Sequence, residues 1–192
     1  TLDDLNLING VEVDGGAIYI TNADLFINDC EFNDNTANGT SGSGGAIFVD
    51  TGATINVTSS IFYNNIANRA GGAIEDNSGA GLSIEISNTD FEMNNAGVSP
   101  ATAAPGNGGA IHITGAAMIS IETSEFFDNS AANEGGALWN QVNSTMNVYE
   151  VTVDSNTAAD GGGVYNNGGI LNIEASTVSN NEALVTSGGG IS

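Results

Sequence analysis

The chain has 192 residues, and its 23 acidic side chains are opposed by one basic residue, Arg69, which gives a formal net charge of −22. Nucleic acid and anionic lipid are therefore poor partners, because phosphate binding depends on Lys and Arg. No apolar run approaches the roughly 18 residues of a membrane-spanning helix, and the one cysteine, Cys30, cannot form an internal disulfide, so we expect a buried thiol.

The acidity has three interpretations. It keeps a secreted protein soluble, it adapts the surface to salty water, or it binds Ca²⁺ weakly through acidic turns such as Asp128, Asp154 and Asp160. The sequence does not decide among them. One His and one Cys exclude a zinc site of the usual kind, and we predict no cofactor beyond weak Ca²⁺ binding.

A glycine pair followed by a small residue and an aliphatic one recurs from one end of the chain to the other. The copies lie 26 to 37 residues apart and begin at Gly15, Gly44, Gly71, Gly108, Gly135, Gly161 and Gly188. After each of the first six, the chain reaches a Phe or Val that is followed by an Asn and then by an Ala at fixed distances. Such self-similarity predicts a repeat architecture in which each unit packs on its neighbours.

Within each unit, aliphatic residues alternate with mostly polar ones. In one unit Ile55 and Val57 flank Asn56 and precede Phe62. A period of two predicts a strand with one buried face, and stacked units would place like positions about 4.7 to 4.9 Å apart. The fold class predicted is all-β, one right-handed, single-stranded parallel β-helix over residues 1–192, with three short strands per coil and about six complete coils. Both chain ends fall within a coil, so we expect a segment of a longer solenoid.

The asparagine column has its own physical rationale. Stacked Asn side chains pass amide hydrogen bonds from coil to coil, as in cross-β assemblies, and so satisfy polar groups where the backbone turns. We therefore predict a structural ladder, not a catalytic site, at Asn35, Asn65, Asn94, Asn129, Asn156 and Asn181.

The pairing of Gly-Gly-Ala-Ile, as at residues 44–47, with Phe-x-x-Asn, as at residues 62–65, resembles the repeat of the polymorphic outer membrane proteins. These proteins lie within the pectin-lyase-like β-helix class. The resemblance implies an adhesive β-helix that is secreted or displayed at the cell surface, in association with the outer membrane. The chain departs from the pattern at Val153 and Val178, where Phe is replaced.

The first strand of each unit predicts an exterior aromatic row. If the aliphatic residue after each glycine pair points inward, the next one points outward, and five of six such positions carry rings. Rings in a line suit stacking on a sugar face or contact with another protein; packing against an absent domain or neighbouring subunit is the alternative. The row consists of Tyr19, Phe48, Glu75, His112, Trp139 and Tyr165.

A long connection before Gly108 supplies a second candidate contact. Residues 97–107 contain both prolines of the chain and are expected to leave the coil as a loop. Loops on one corner of a solenoid often bind partners, but a passive insertion is the favoured explanation of this segment. The candidate residues are Val98, Pro100 and Pro105. Three sequons, at Asn38, Asn56 and Asn143, permit N-glycosylation.

Catalysis is not expected. Elimination on an acidic sugar needs a basic group and supporting cations, and Arg69 has no second cation beside it. Hydrolysis needs two carboxylates on one side of the substrate, whereas Glu75 and Asp76 are consecutive strand residues that face opposite sides. Glu75 and His112 are a possible pair in neighbouring coils.

We therefore predict a non-enzymatic binding or structural module at the cell surface, similar to an adhesin stalk or passenger. Its partner would be a glycan or a protein on another surface. The alternative is a subunit that assembles with copies of itself into a surface layer or fibre, and a polysaccharide-degrading enzyme is the least favoured possibility.

Overall fold

The structure is a computed structural model that describes residues 1–79, 81–98 and 104–192. These residues form four parallel sheets and contain no helix. Each turn of the chain contributes one strand to each sheet, and every strand pairs with the equivalent strand one turn away. The predicted parallel β-solenoid is confirmed.

Each of the first three sheets has seven strands and the fourth has six. Sheet 1 comprises Leu2–Asp3, Asp24–Asn28, Thr54–Thr58, Leu82–Ser87, Met118–Glu122, Thr145–Tyr149 and Ile170–Glu174. Sheet 2 comprises Asn6–Ile8, Glu31–Asn33, Ile61–Tyr63, Asp90–Glu92, Glu125–Phe127, Thr152–Asp154 and Thr177–Ser179. Sheet 3 comprises Val11–Glu12, Thr36–Ala37, Ile66–Ala67, Asn95–Ala96, Ser130–Ala131, Thr157–Ala158 and Glu182–Ala183. Sheet 4 comprises Ile18–Ile20, Ile47–Val49, Ile74–Asp76, Ile111–Ile113, Leu138–Asn140 and Val164–Asn166.

The prediction of three strands per coil is wrong, because each coil has four. The additional strand is the two-residue strand of sheet 3, which directly follows the ladder asparagine. The residue before that asparagine adopts a left-handed conformation, for example Asn64 with φ 52° and Asp128 with φ 52°. The chain therefore turns sharply at this point. The alanine column that follows faces inward on sheet 3, where Ala67 and Ala96 are fully buried.

Like residues lie on like residues, as the repeat predicts. Phe32, Phe62, Phe91 and Phe126 are register partners in sheet 2 and are fully buried. Their rings stack with centroids 4.6 to 4.8 Å apart and planes within 6° of parallel. The aliphatic columns of sheets 1 and 4 complete one continuous core, which also contains the thiol of Cys30.

The glycine pair is required by close coil-to-coil contact. The first glycine is left-handed, as at Gly44 with φ 64°. The second approaches the next coil so closely that a Cβ on Gly45 would lie 2.0 Å from the carbonyl oxygen of Gly72. No other residue fits both positions.

The six asparagines form a continuous hydrogen-bonded ladder. The side-chain amide of each of the first five donates to the Oδ1 of the Asn one coil further along, at 2.9 to 3.0 Å. It also donates to a carbonyl oxygen one coil behind, as Asn94 does to Phe62 at 2.9 Å. The same Oδ1 accepts the backbone N–H of the preceding ladder residue, as Asn94 does from Asn65 at 3.0 Å. The polar groups at the corner between sheets 2 and 3 therefore have hydrogen-bond partners, although five of the six asparagines are buried.

The small column two residues before each Phe or Val forms a second, shorter ladder. The hydroxyl of Ser60 accepts from the backbone N–H of Cys30 at 3.1 Å, and that of Ser124 accepts from Thr89 at 3.1 Å. The residues at this bend are mostly small, and they are Cys30, Ser60, Thr89, Ser124, Val151 and Ser176. The structure shows that a hydroxyl here also satisfies the backbone of the neighbouring coil.

Replacing Asn94 by Ala should destabilise the solenoid strongly. The substitution leaves the amide groups of two neighbouring coils without partners in a buried corner, and each orphaned group costs about 1 to 3 kcal/mol. Urea unfolding of the variant should show a loss of at least about 3 kcal/mol. Asn172→Ala, on the exposed face of sheet 1, is the matched control and should change the unfolding free energy by less than about 0.5 kcal/mol. Equal stability of the two variants would contradict a stabilising ladder.

Candidate functional site: the outer face of sheet 4

The predicted row lies in register on the outer face of sheet 4. Strand pairing places its members one above the other, in the order Tyr19, Phe48, Glu75, His112, Trp139 and Tyr165. The residue before each of them packs into the core, Ile47 and Ile111 among them, so the row points away from the core.

Most of the rings stack on one another along the solenoid axis. Tyr19 lies 5.3 Å from Phe48 between ring centroids, His112 lies 4.3 Å from Trp139, and Trp139 lies 6.5 Å from Tyr165. The planes in each pair are within 19° of parallel. Ring faces therefore cover ring faces, which restricts the sugar-face stacking that the sequence suggests.

Exposure divides the row into an accessible part and a buried part. Tyr19 is 52 % exposed, whereas His112 and Trp139 are 3 % and 5 % exposed. The expectation of five exposed rings is therefore wrong for His112 and Trp139. Both are held by polar partners on the outer face: His112 by Glu75, and Trp139 by Glu134, to which its indole N–H donates at 2.9 Å.

Glu75 is the centre of a buried charged cluster. Its Oε1 lies 3.0 Å from Nη2 of Arg69, and its Oε2 lies 3.0 Å from Nδ1 of His112. The hydroxyl of Thr114 donates to the same carboxylate. Arg69 also donates through Nε to Ser43 at 2.8 Å, so this one side chain links three consecutive coils.

The cluster keeps Glu75 ionised. Complete burial raises the pKa of its carboxyl, but the His112 ring and the Arg69 guanidinium together outweigh this effect, so the pKa lies below its ordinary value. A carboxylate that is fully buried and bound on two sides by Arg69 and His112 serves as a structural anchor. It has no open side from which to accept a substrate proton.

Asp76, the next residue, points to the opposite side, as predicted for consecutive strand positions. It is fully buried and accepts hydrogen bonds from the backbone N–H of Ser78 at 2.9 Å and from the hydroxyl of Ser83 at 2.5 Å. Burial raises the pKa of this carboxyl. The two carboxylates are therefore separated by the strand and do not form a catalytic pair.

Tyr19 is the most exposed member of the row and stacks on Phe48, which is half-buried, as is Tyr165. The Tyr19 hydroxyl donates to Asp50, which raises the pKa of Tyr19 to about 12 and lowers the pKa of Asp50. Asp50 also accepts from the side-chain amide of Asn77 at 3.2 Å. This arrangement holds an aromatic ring in one orientation beside hydrogen-bonding groups.

The C-terminal end of the connection at residues 97–107 lies next to the outer face of sheet 4. The backbone N–H of Gly106 donates to the carbonyl of Arg69 at 2.9 Å, so the segment returns to the coil beside the Glu75 cluster. Val98 is half-buried and Pro105 is exposed, while Pro100 lies outside the described residues. The roles of Val98, Pro100 and Pro105 in binding stay predictions.

Sequence reasoning missed Arg69 as a member of this site. A usable signal exists, because the only Arg and the only His of the chain both lie near Glu75 once the coils are stacked. In the described ranges, no three His, Cys, Asp or Glu side chains converge on a point where a metal ion would be held. Weak Ca²⁺ binding stays a prediction.

Comparison with known proteins agrees with this architecture. The sequence-family model of the Chlamydia polymorphic membrane protein repeat matches residues 29–50 and 123–141. The probable autotransporter YfaL of Escherichia coli strain K12 is 31 % identical over 173 residues. That alignment covers 82 % of this chain but 13 % of the relative. No solved structure matches the chain.

The matches confirm the resemblance predicted from the two motifs, and they indicate an outer-membrane or cell-surface location. Both matched segments span a Phe-x-x-Asn motif and a glycine pair, in residues 32–35 with 44–45 and in residues 126–129 with 135–136. Among the described residues, no helix has the length and apolar character to cross a bilayer.

Glu75→Gln should lower the stability at neutral pH and weaken its dependence on acid. The folded-state pKa of Glu75 is depressed, so its contribution is present above the ordinary glutamate range, about pH 4, and is lost as the pH falls through the folded-state pKa. Urea unfolding at several pH values measures this. The parent chain should lose more stability on acidification than the variant.

Glu122→Gln is the control, since Glu122 is exposed on sheet 1. It should keep the acid dependence of the parent chain. If Glu75→Gln showed that same dependence and unchanged stability at neutral pH, the Glu75 cluster would not anchor the coils.

Proposed function

We propose that this chain, which resembles the polymorphic membrane protein repeat and part of an autotransporter, is a surface-exposed, passenger-like module that acts as a non-enzymatic, adhesin-like binding module. It presents a fixed contact site on a rigid solenoid. The partner is a glycan or a protein on another surface.

The exposed Tyr19, stacked on the half-buried Phe48, carries this proposal. Tyrosine supplies a large amphipathic contact surface at a low cost in conformational entropy, which makes it frequent in binding sites. Here the ring is further fixed by stacking on Phe48 and by the hydrogen bond to Asp50. Such a site loses little freedom when a partner binds, which favours affinity.

The Glu75 cluster supports the non-enzymatic part. Arg69 is the only Lys or Arg in the sequence, and its guanidinium is bound to Glu75 and Ser43. The chain therefore offers no unpaired Lys or Arg that could neutralise the substrate carboxylate during elimination on an acidic sugar. Glu75 and Asp76 lie on opposite sides of one strand, so they cannot flank one glycosidic bond as hydrolysis requires.

Self-assembly into a layer or fibre is the second candidate. Exposed apolar side chains on the outer faces, such as Phe26 and Ile61, favour lateral contact. A net charge of −22 opposes it, because copies of this chain repel one another at low ionic strength.

Binding of the purified chain to a glycan array and to intact cells tests the proposal. Tyr19→Ala and Phe48→Ala should each weaken binding by about tenfold, as expected for aromatic contact residues. Tyr149→Ala is the matched control, because Tyr149 is 45 % exposed but lies on sheet 1; it should bind like the parent chain.

Circular dichroism of each variant checks that the solenoid is intact. Unchanged binding by Tyr19→Ala and Phe48→Ala would contradict the assignment of the contact site. New reducing or unsaturated ends after incubation with a polysaccharide would contradict the non-enzymatic function.

A further inference from the structure

The outer face of sheet 2 mixes exposed apolar groups with carboxylates. Each of its three-residue strands turns its first and third side chains outward. Ile61, Tyr63 and Phe127 are 40 %, 37 % and 42 % exposed. Strand register places Glu92 directly between Tyr63 and Phe127. We call the outward side chains of Ile61–Tyr63, Asp90–Glu92 and Glu125–Phe127 the sheet-2 face.

The carboxylates of the sheet-2 face lack partners within the described part of the chain. The two ion pairs of the described residues both involve Glu75, on sheet 4. The side chains of Asp90, Glu92 and Glu125 have neither a hydrogen bond nor a cation within the same residues. Asp90 and Glu125 are direct register partners on adjacent strands. Like charges in this position destabilise a sheet.

The outer face of sheet 1 differs in this respect, because many of its polar groups bond one another. Asn56 donates to Glu85 at 3.2 Å, Thr54 donates to Asp24 at 2.7 Å, and Asn172 donates to Asn147 at 2.8 Å. Side chains that already hydrogen-bond one another need no binding partner from outside the chain. Sheet 1 also carries an exposed ring beside carboxylates, because Tyr149 lies between Glu122 and Glu174. The sheet-2 face differs in that a carboxylate, Glu92, lies between two exposed rings, and two carboxylates, Asp90 and Glu125, lie side by side.

We infer that the sheet-2 face is a docking surface for an arginine-rich polypeptide segment. Charge complementarity selects the partner: the face is anionic, and the one cation of this chain is held inside the Glu75 cluster on sheet 4. Anionic glycans, nucleic acids and a second copy of this acidic chain are repelled.

The rings select arginine over lysine. A guanidinium is planar and stacks on an aromatic face while its N–H groups bind a carboxylate in a bidentate manner. Glu92, between Tyr63 and Phe127 at the strand spacing of about 4.8 Å, offers both kinds of contact within reach of one side chain. The adjacent Asp90 and Glu125 give a second anionic position whose mutual repulsion a bound cation relieves.

Calorimetric titration with nona-arginine and nona-lysine at about 150 mM NaCl tests this inference, because diffuse attraction between exposed charges is largely screened there. Nona-arginine should bind the parent chain more tightly than nona-lysine. The triple variant Asp90→Asn, Glu92→Gln, Glu125→Gln should bind it at least about tenfold more weakly. Phe127→Ala should weaken it about threefold and reduce the preference for arginine.

The matched control removes three exposed charges that have no aromatic register partner, through Glu12→Gln and Glu182→Gln on sheet 3 and Glu85→Gln on sheet 1. It should stay within about twofold of the parent chain. Equal weakening by the two triple variants, equal affinity for the two peptides, or no binding by the parent chain would overturn the inference. Thermal unfolding excludes misfolding, since removal of the Asp90 and Glu125 repulsion should preserve or raise the melting temperature.

Discussion

The structure depends on one constraint, which is that every coil must lie on the next in the same register. A shift by one residue would turn each aliphatic column toward solvent and each polar column toward the core. The asparagine ladder enforces this register, because each Asn reaches both the coil ahead and the coil behind at about 2.9 Å. The stacked phenylalanines beside it bury apolar surface only when the same alignment holds. Polar and apolar interactions therefore specify one arrangement.

The repeat made the vertical neighbours predictable, since spacing alone identifies Phe62 with Phe91 and Asn65 with Asn94. It did not reveal the fourth strand, because a two-residue strand is too short to show periodicity and only the alanine column marks it. The burial of His112 and Trp139 was also unpredictable. His112 is held by Glu75, to which Arg69 also donates. Trp139 is covered by the stacked rings of His112 and Tyr165 and bound by Glu134. Periodicity describes which residues are stacked, whereas lateral contacts depend on rotamers.

The four sheets have different roles in the molecule. Sheet 3 and the adjoining corner hold the register. On the outer face of sheet 4, Glu75, His112 and Trp139 are buried, and Tyr19 is the exposed member of the row. On sheet 1 many outward polar groups bond one another, whereas sheet 2 presents rings beside unpaired carboxylates. A rigid prism with chemically distinct faces suits a protein displayed at a cell surface, because partners then meet preformed contacts.

Disulfide formation in solution tests the register most directly. In a Cys30→Ser background, cysteines at the register partners Thr58 and Ser87 should form a disulfide under mild oxidation, because adjacent strands place their Cα atoms about 4.8 Å apart. The pair Thr58→Cys with Glu85→Cys is offset by two residues along the strand, so its Cα atoms are about 8 Å apart, beyond the reach of a disulfide. Mass spectrometry should find the bond in the first pair and not in the second. Equal oxidation of the two pairs, or oxidation of the offset pair alone, would contradict the stacked register.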